Sequence, residues 1–309
     1  MVRKPMHPGR QLLALIGILI LAIFVGTFLG LIFITARYGS GTMMNIAHLK
    51  LDTPQTISAL WFLQFIGTTL PILITPIIFA YMIVRDPGDY LKNNFHFPPV
   101  LIFIVIIMAA MAFPTTEYLG NINEKMVLPQ SLKAVEHWMR DSEDEAAKIS
   151  DSMMQMHGFS DMLFDLIFIG LLTAIVEEFL FRGCFQTIFM RWTKNTHAAV
   201  WITAILFSAF HQEFYSFLPR VFLGVMFGYF AAWSGSIWPA ILGHFLNNGS
   251  VVVLTYLSQK RIIDIDPNDP HTFTNWGYII SFALTLALLI IYKYISEKWH
   301  AAHHGEELD

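Results

Sequence analysis

The chain has 309 residues, 55% of them hydrophobic and 14% charged, and its formal net charge is −4. Soluble domains carry roughly a quarter charged residues, so this composition excludes an ordinary soluble domain, and no basic stretch indicates nucleic acid as a partner. Cys184 is the only cysteine, which excludes an internal disulfide and a cysteine-ligated metal cluster.

Long uncharged apolar runs follow one another along the chain. They predict an all-α, polytopic integral membrane protein with about eight transmembrane helices. The first run follows basic residues, as in a signal peptide, but it is far longer than the apolar core of one. We therefore interpret it as a retained helix, with a secretion signal as the alternative. The predicted spans are 11–36, 59–84, 98–114, 160–181, 198–215, 219–233, 237–257 and 277–295, with Pro71 and Pro76 as expected kinks in the second.

Ionisable residues divide the spans into two groups. Spans one to three contain no Asp, Glu, Lys, Arg or His, whereas spans four to seven contain all the ionisable residues that we expect to be buried. We accordingly predict an N-terminal three-span region (1–116), a polar loop with possible surface helices (117–158), a four-helix core that carries the functional site (159–257), and a polar loop, last span and polar tail (258–309). No internal repeat is visible, which gives no support to a transporter built from repeats.

The basic residues predict the orientation of the chain in the membrane. Eight spans place both termini on one side, and cytoplasmic segments carry the excess of Lys and Arg. Short segments on the side of the termini hold Arg3, Lys4, Arg10, Arg85, Lys92, Arg191, Lys194, Lys293 and Lys298, and those on the other side hold Arg37, Lys50, Lys260 and Arg261. This pattern favours cytoplasmic termini, and the compact loops favour a prokaryotic cell (inner) membrane.

An acid pair lies deep in the fourth span. A charge within a span costs at least ~2.5 kcal/mol on insertion scales, which makes it a functional hypothesis. Glu178 and Arg182 stand at i, i+4 in the favoured ion-pair order. Glu177 lies about 100° further round the helix, so we expect Arg182 to neutralise Glu178 while Glu177 faces another partner. The alternative is a helix end that surfaces at the membrane interface.

Two further polar groups occur on apolar helices. Phe207 and His211 share one face of the fifth span, and His244 and Asn248 share one face of the seventh, with Asn247 close by. An imidazole and a carboxamide on one face could stabilise an oxyanion. The alternatives are a histidine that serves as a structural hydrogen bonder and polar contacts that join membrane helices. The combination of two acids, two histidines and an asparagine is more specific than any motif alone.

These residues resemble the pattern of the CAAX protease and bacteriocin-processing (CPBP, or Abi) family. That pattern is E-E-x-x-x-R, then F-x-x-x-H, then H-x-x-x-N, and the chain matches each motif in order. The resemblance covers residues 163–257, less than a third of the chain. The matching residues are Glu177, Glu178, Arg182, Phe207, His211, His244 and Asn248.

The resemblance implies an endopeptidase within the bilayer, related to the type II CAAX prenyl endopeptidases, whose substrate is a membrane-associated protein or peptide. It also implies that the region 159–257 is the catalytic core. By motif match, Glu177 activates water together with His211, while His244 and Asn248 stabilise the oxyanion; Glu178, Arg182 and Asn247 support the site.

The resemblance leaves the metal, the substrate and the oligomeric state open. No cofactor is certain, but zinc is an alternative, with Glu177, His211 and His244 as its ligands. Alternative functions are a non-catalytic immunity or scaffolding protein on the same fold, or a transporter. We expect the site residues to converge on one cavity that opens towards the cytoplasm and partly towards lipid.

Overall fold

The computed structural model describes residues 6–83, 87–263 and 273–304. Within these ranges the chain is helical and contains no strand, so the predicted all-α fold is confirmed. The helices are α1 (Pro8–Tyr38), α2 (Ser40–Ala47), α3 (Pro54–Met82), α4 (Pro87–Tyr90), α5 (Val100–Glu124), α6 (Lys133–Met153), α7 (Phe159–Thr193), α8 (Thr196–Phe210), α9 (Phe217–Ser234), α10 (Trp238–Gln259) and α11 (Asn275–His304).

Seven helices of the described chain are long and apolar enough to cross a membrane, and α8 is a shorter apolar helix. This agrees with the expected total of about eight, and the chain is an integral multi-pass membrane protein. Parts of some predictions lie outside the described residues: the end of the second span, the prolines of the loop before α11, and much of the polar tail. The same is true of Arg3, Lys4 and Arg85.

Helices α7 to α10 form the centre of the bundle, and the other spans flank it on two sides. On one side α1 packs against α3, and both contribute to an apolar core with α7 and α8. On the other side α5 packs against α11, and both share a second apolar core with α9 and α10. The third span therefore packs beside the last span.

Small residues let the central helices approach closely. A Cβ on Gly224 would lie 3.1 Å from the Cα of Ala204, and one on Gly228 would lie 2.9 Å from Val200. Both glycines therefore pack α9 against α8 within one chain, which accounts for the G-x-x-x-G spacing without a second copy.

Helix α5 is longer than predicted. We expected the third span to end near Pro114, but the helix continues to Glu124. The Ser281 hydroxyl of α11 donates to the Met111 carbonyl at 2.5 Å and accepts from the Thr115 amide at 3.1 Å. This inserted hydroxyl occupies the place of the helical bond that would join those two backbone groups. Pro114 itself lacks the N–H that would bond the Ala110 carbonyl, and α11 contacts the next pair of backbone groups, which helps the helix to continue past the proline.

Helix α8 is shorter than predicted. It has 15 residues and ends at Phe210, so His211 caps the helix and does not lie inside it. Fifteen residues rise about 22 Å, which is less than the roughly 30 Å of a hydrocarbon core. Helix α8 is therefore shorter than a full crossing of that core.

The two faces of the bundle are distinct. His7, just before α1, packs its ring 6.3 Å from that of Trp192, and the His300 side chain of α11 lies 3.1 Å from the Trp233 carbonyl. The start of α1 and the end of α11 are thus on the face where α7 and α9 end, which we call the terminal face. On the opposite face, Gln259 at the end of α10 accepts from the Met156 amide just after α6. We call this the α6 face.

Candidate active site

A fully buried ion pair lies at the centre of the core. The Arg182 Nη1 donates to Glu178 Oε1 at 2.8 Å, and both side chains are 0% exposed. Arg182 Nη2 also donates to the Gly224 carbonyl of α9 at 2.9 Å. His244 of α10 places Nδ1 2.9 Å from the same Glu178 oxygen. The predicted Glu178–Arg182 contact is therefore present, and it connects three helices.

Two aromatic rings hold these charged groups in place. The Phe227 ring stacks on the His244 ring with centroids 5.1 Å apart and an interplanar angle of 16°. The Phe207 ring meets the His244 ring edge-on at 5.7 Å. The Arg182 guanidinium carbon lies 4.8 Å from the Phe207 centroid and 5.6 Å from that of Phe227. Such contacts fix ring orientation and favour a cation over each ring face.

Glu177 points away from this pair and faces two histidines. Its Oε2 lies 3.9 Å from His211 Nε2 and 3.8 Å from His244 Nε2. That oxygen is buried and has no hydrogen-bond partner among the described residues. The two separations are too long for direct hydrogen bonds, but one water can contact both atoms of each pair through bonds of about 2.8 Å.

The hydrogen bonds made by the other ring nitrogens define the tautomers. His211 Nδ1 lies 2.8 Å from the Phe207 carbonyl, which can only accept, and His244 Nδ1 faces the Glu178 carboxylate. Each Nδ1 therefore carries a hydrogen. In the neutral ring, Nε2 is then an acceptor that points towards Glu177, and only a protonated ring donates from it.

Asn247 and Asn248 lie one turn beyond His244. The Asn247 amide donates to Asn248 Oδ1 at 3.1 Å, which orients the second carboxamide. The Asn248 amide nitrogen is 3.5 Å from the Ile169 carbonyl of α7. An amide nitrogen carries two hydrogens, so Asn248 retains one for a group in the space between α7 and α10.

One cavity of about 280 Å³ contains all of these groups. Its lining residues are Ser150, Met154, Ile169, Thr173, Glu177, Phe207, His211, Arg220, Leu223, Phe227, His244, Asn247, Asn248 and Val251. The structure thus brings the four predicted catalytic residues and Asn247 to one space, while Glu178 and Arg182 lie behind its wall.

The cavity extends towards the α6 face, whereas we expected it to open on the side of the chain termini. From Glu177 it runs along α7 towards Ile169 and along α10 towards Val251, and it reaches Met154 just after α6. The depth of Glu177 in α7 did not indicate the open side, because α7 has 35 residues and extends well beyond Glu177 in both directions.

Helix α6 is attached to the segment that follows His211. Glu143 accepts from the Tyr215 amide at 2.7 Å and from the Ser216 hydroxyl at 2.8 Å. The Trp138 ring packs 5.1 Å from the Phe214 ring. The polar stretch between the third and fourth spans therefore forms part of the cavity mouth.

The side chains around Glu177 do not have the spacing of a zinc site. No group of three His, Cys, Asp or Glu side chains among the described residues has the arrangement of a metal site. Ligands about 2.0–2.2 Å from a tetrahedral zinc ion lie roughly 3.3–3.6 Å from one another, whereas the two separations at Glu177 are 3.9 and 3.8 Å. These side chains, as they lie, do not fit a zinc ion.

Three features of the site were absent from the sequence prediction. They are the Glu178–His244 contact, the Phe227 ring beneath His244, and Arg220 in the cavity wall. Each depends on how α9 and α10 rotate against α7. The G-x-x-x-G spacing of Gly224 and Gly228, on the helix that carries Phe227 and Arg220, is a sequence signal of close helix packing.

Comparison with known proteins found similarity in the region that contains this cavity. Residues 159–250 match the family model described as type II CAAX prenyl endopeptidase Rce1-like. A stretch of 112 residues is 29% identical to the uncharacterized protein YpbD of Bacillus subtilis (strain 168), which is 34% of this chain and 52% of that relative. The chain thus spans about half the length of this curated relative, and no solved structure shows significant similarity. Residues 159–250 of this chain are thus similar to the Rce1-like type II CAAX prenyl endopeptidases.

Proposed function

We propose that the protein is an intramembrane endopeptidase that cleaves a peptide bond of a membrane-associated protein or peptide. The observation that carries this proposal is the unpartnered Glu177 oxygen between two histidine Nε2 atoms, in a cavity between transmembrane helices. Similarity of residues 159–250 to a protease family supports it at the level of the reaction class.

In the proposed mechanism Glu177 is the general base. A water molecule near Glu177 Oε2 and His211 Nε2 would have an acceptor for each of its hydrogens. Glu177 takes one proton as the water oxygen attacks the carbonyl carbon of the peptide bond. The same proton then passes to the leaving amine, so the carboxylate is restored. General acid–base catalysis of this kind contributes roughly 10²–10⁴-fold to a rate.

His244 and Asn248 stabilise the charge that develops on the carbonyl oxygen. The free Asn248 hydrogen and a protonated His244 Nε2 both donate into the cavity. The Glu178 carboxylate at His244 Nδ1 fixes the orientation of the ring, and Arg182 holds that carboxylate in position. Donors that are already aligned before reaction stabilise an oxyanion at little reorganisation cost.

We also propose that the protein lies in a prokaryotic cell membrane with both termini in the cytoplasm. The basic residues of the terminal face support this orientation, which includes Arg10, Arg191, Lys194 and Lys298. The cavity on the α6 face then opens away from the cytoplasm, and substrates approach from that side or laterally from the bilayer.

The proposal is tested with purified protein in phosphatidylcholine vesicles and a library of quenched-fluorescent peptides that carry an acyl anchor. Wild-type protein and the control Glu297→Gln, an exposed α11 substitution, should cleave members of the library. Glu177→Gln should lower the turnover rate at least about 10²-fold. Equal cleavage by wild-type protein and Glu177→Gln would exclude the proposed base.

A second arm of this experiment separates the chemistries. Treatment with a chelator should leave the rate unchanged if Glu177 acts on water without a metal. Loss of the rate with chelator, and its recovery with zinc, would assign Glu177, His211 and His244 to a metal instead. A complete lack of cleavage across the library, with folded protein, would favour the non-catalytic immunity or scaffolding function.

A further inference from the structure

Arg220 is the single Lys or Arg among the residues that line the cavity, within the described chain. Its Nη2 donates to Glu213, which lies two residues after His211. Its Nη1 is buried and has no hydrogen-bond partner among the described residues. The side chain as a whole is 23% exposed and is already paired with Glu213, but a buried guanidinium N–H is costly to leave without an acceptor, so Nη1 is available to a ligand in the cavity.

The position of Arg220 on α9 strengthens this argument. Arg220 is the fourth residue of the helix, which begins at Phe217. The N-terminal end of a helix carries partial positive charge, and a cation there is unfavourable by itself. The same end of the helix favours an anion. An anionic group beside Arg220 would therefore be attracted by both the guanidinium and the helix end.

We propose that Arg220 binds a carboxylate of the peptide substrate and so makes the enzyme selective for an anionic group near the cleaved bond. The inference rests on the proposed peptidase function, because a carboxylate is the anionic group that a peptide supplies. Arginine pairs with carboxylates through parallel hydrogen bonds, which gives geometric selectivity that lysine lacks. The carboxylate comes from either the C-terminus of the peptide or an acidic side chain.

The contact also links substrate binding to the catalytic residues. Glu213 and His211 belong to the same short segment, and Glu213 pairs with Arg220 while His211 faces Glu177. A carboxylate on Nη1 would hold Arg220 in its present orientation, with Nη2 still bound to Glu213. Bound substrate would thereby hold the end of α8 in place.

The test measures binding and does not require cleavage. Glu177→Gln protein in phosphatidylcholine vesicles is titrated with three acyl-anchored fluorescent peptides of otherwise equal sequence. The first has a free C-terminus and no acidic side chain, the second is amidated and contains one Glu, and the third is amidated with Gln in its place. The free carboxylate peptide, the Glu peptide, or both should bind roughly tenfold to hundredfold more tightly than the third.

Further substitutions assign this preference to Arg220. Adding Arg220→Gln should remove it and leave binding of the third peptide unchanged, while Arg220→Lys should retain part of it. Arg140→Gln is the matched control, because Arg140 is an arginine of α6 that does not line the cavity. Equal binding of all three peptides, or an equal loss for all three with Arg220→Gln, overturns the inference.

The outcome of the binding titration is independent of the outcome of the cleavage assay. The wild-type protein could cleave no peptide and still prefer carboxylate peptides through Arg220. That result would support Arg220 as a ligand-binding residue and contradict the peptidase function. Cleavage that depends on Glu177 but is equal for peptides with and without the carboxylate would support the peptidase function and contradict the role of Arg220.

Discussion

Neighbouring acids in α7 have different surroundings, although they are adjacent in the sequence. Glu178 is fully buried between Arg182 and His244, whereas the Glu177 side chain is 15% exposed and faces the cavity. Removing one partner of a buried ion pair leaves an uncompensated charge, which is strongly destabilising. The acid that faces the cavity has no such cationic partner at hydrogen-bond distance among the described residues. We therefore expect the two positions to respond differently to the same substitution.

Glu178→Gln should destabilise the protein by about 3–5 kcal/mol, because it leaves Arg182 charged and buried. Glu177→Gln should leave the stability nearly unchanged and remove the activity. Thermal unfolding in detergent, together with the peptide cleavage assay, separates the two effects. Equal loss of folded protein in both variants would contradict this division of roles.

Lys92, in the loop before α5, gives a prediction that depends on pH. Burial lowers the pKa of Lys92 to about 8, against 10.5 as its ordinary value. Between these two pH values the unfolded chain binds more protons, so the destabilising effect of this group decreases as pH rises through that window. At pH 7 the effect is fully present.

Lys92→Met should therefore raise the melting temperature at pH 7, by about 2 °C or more, and the gain should shrink by pH 9.5. Lys298→Met, on the exposed end of α11, is the control and should show no such trend. The measurement is a pair of thermal melts at the two pH values. A gain that stays constant or grows with pH would count against a buried, charged Lys92.

Helix boundaries were the part of the fold that sequence patterns predicted least well. The apolar runs predicted the spans and their order, because each run must satisfy its own backbone within the bilayer. Pro114 indicated the end of a helix. The Ser281 hydroxyl, which contacts the α5 backbone beside this proline, belongs to a helix more than 160 residues later in the sequence. The early end of α8 at Phe210 likewise had no recognised signal in an apolar run.

The π-helical segments were also missed. Two of them, Leu166–Leu172 and Phe179–Gln186, flank the acid pair in α7. Thr173 and Thr187 follow these segments, and each hydroxyl donates to the carbonyl five residues earlier, at 3.1 and 3.3 Å. Because threonine is common in many structural contexts, a threonine at these positions does not by itself predict a π-helical segment. Short π segments occur frequently at functional sites.

The contact of the Ser281 hydroxyl with the α5 backbone can be tested by substitution. Ser281→Ala leaves the Thr115 amide and the Met111 carbonyl without this partner, and it should cost about 1–3 kcal/mol of stability. Thr285→Val on the same helix is the matched control, because its hydroxyl is buried and has no hydrogen-bond partner among the described residues. Chemical denaturation compares the two. Equal destabilisation by both substitutions would show that the Ser281 bonds contribute nothing specific.

The sequence predicts contacts within one helix better than it predicts contacts between helices. The i, i+4 spacing predicted the Glu178–Arg182 pair, and the structure contains it. The contact of His244 with Glu178 joins residues 66 positions apart, and it depends on the rotation of α10 against α7. The motifs thus identified which residues to compare, while only the packed bundle shows which of them touch.

Across the whole molecule, the cavity and the chain ends lie on opposite faces. Helix α6 and the end of α10 border the cavity, whereas the start of α1 and the end of α11 share the terminal face. The short segments on the side of the termini hold more basic residues than the short segments on the other side, which favours placement of the terminal face in the cytoplasm. The membrane orientation therefore decides from which side a substrate reaches Glu177.

Cysteine labelling in intact cells tests this orientation. A cysteine at Ala147, exposed on α6, should react with a membrane-impermeant maleimide added from outside, and a cysteine at Lys298 should react only after permeabilisation. The native Cys184 is fully buried, so unmodified protein provides the background. Labelling of the Lys298 position alone from outside would invert the orientation and open the cavity to the cytoplasm.

The most direct test of the central claim compares new protein termini in membranes from cells that carry wild-type protein, Glu177→Gln or Glu297→Gln at equal abundance. Mass spectrometry of these termini detects cleavage even where the substrate is unidentified. We expect a set of termini in membrane-associated proteins that is present with wild-type protein and with Glu297→Gln, and absent with Glu177→Gln. Identical sets in all three membranes, with each protein folded, would contradict an endopeptidase that depends on Glu177.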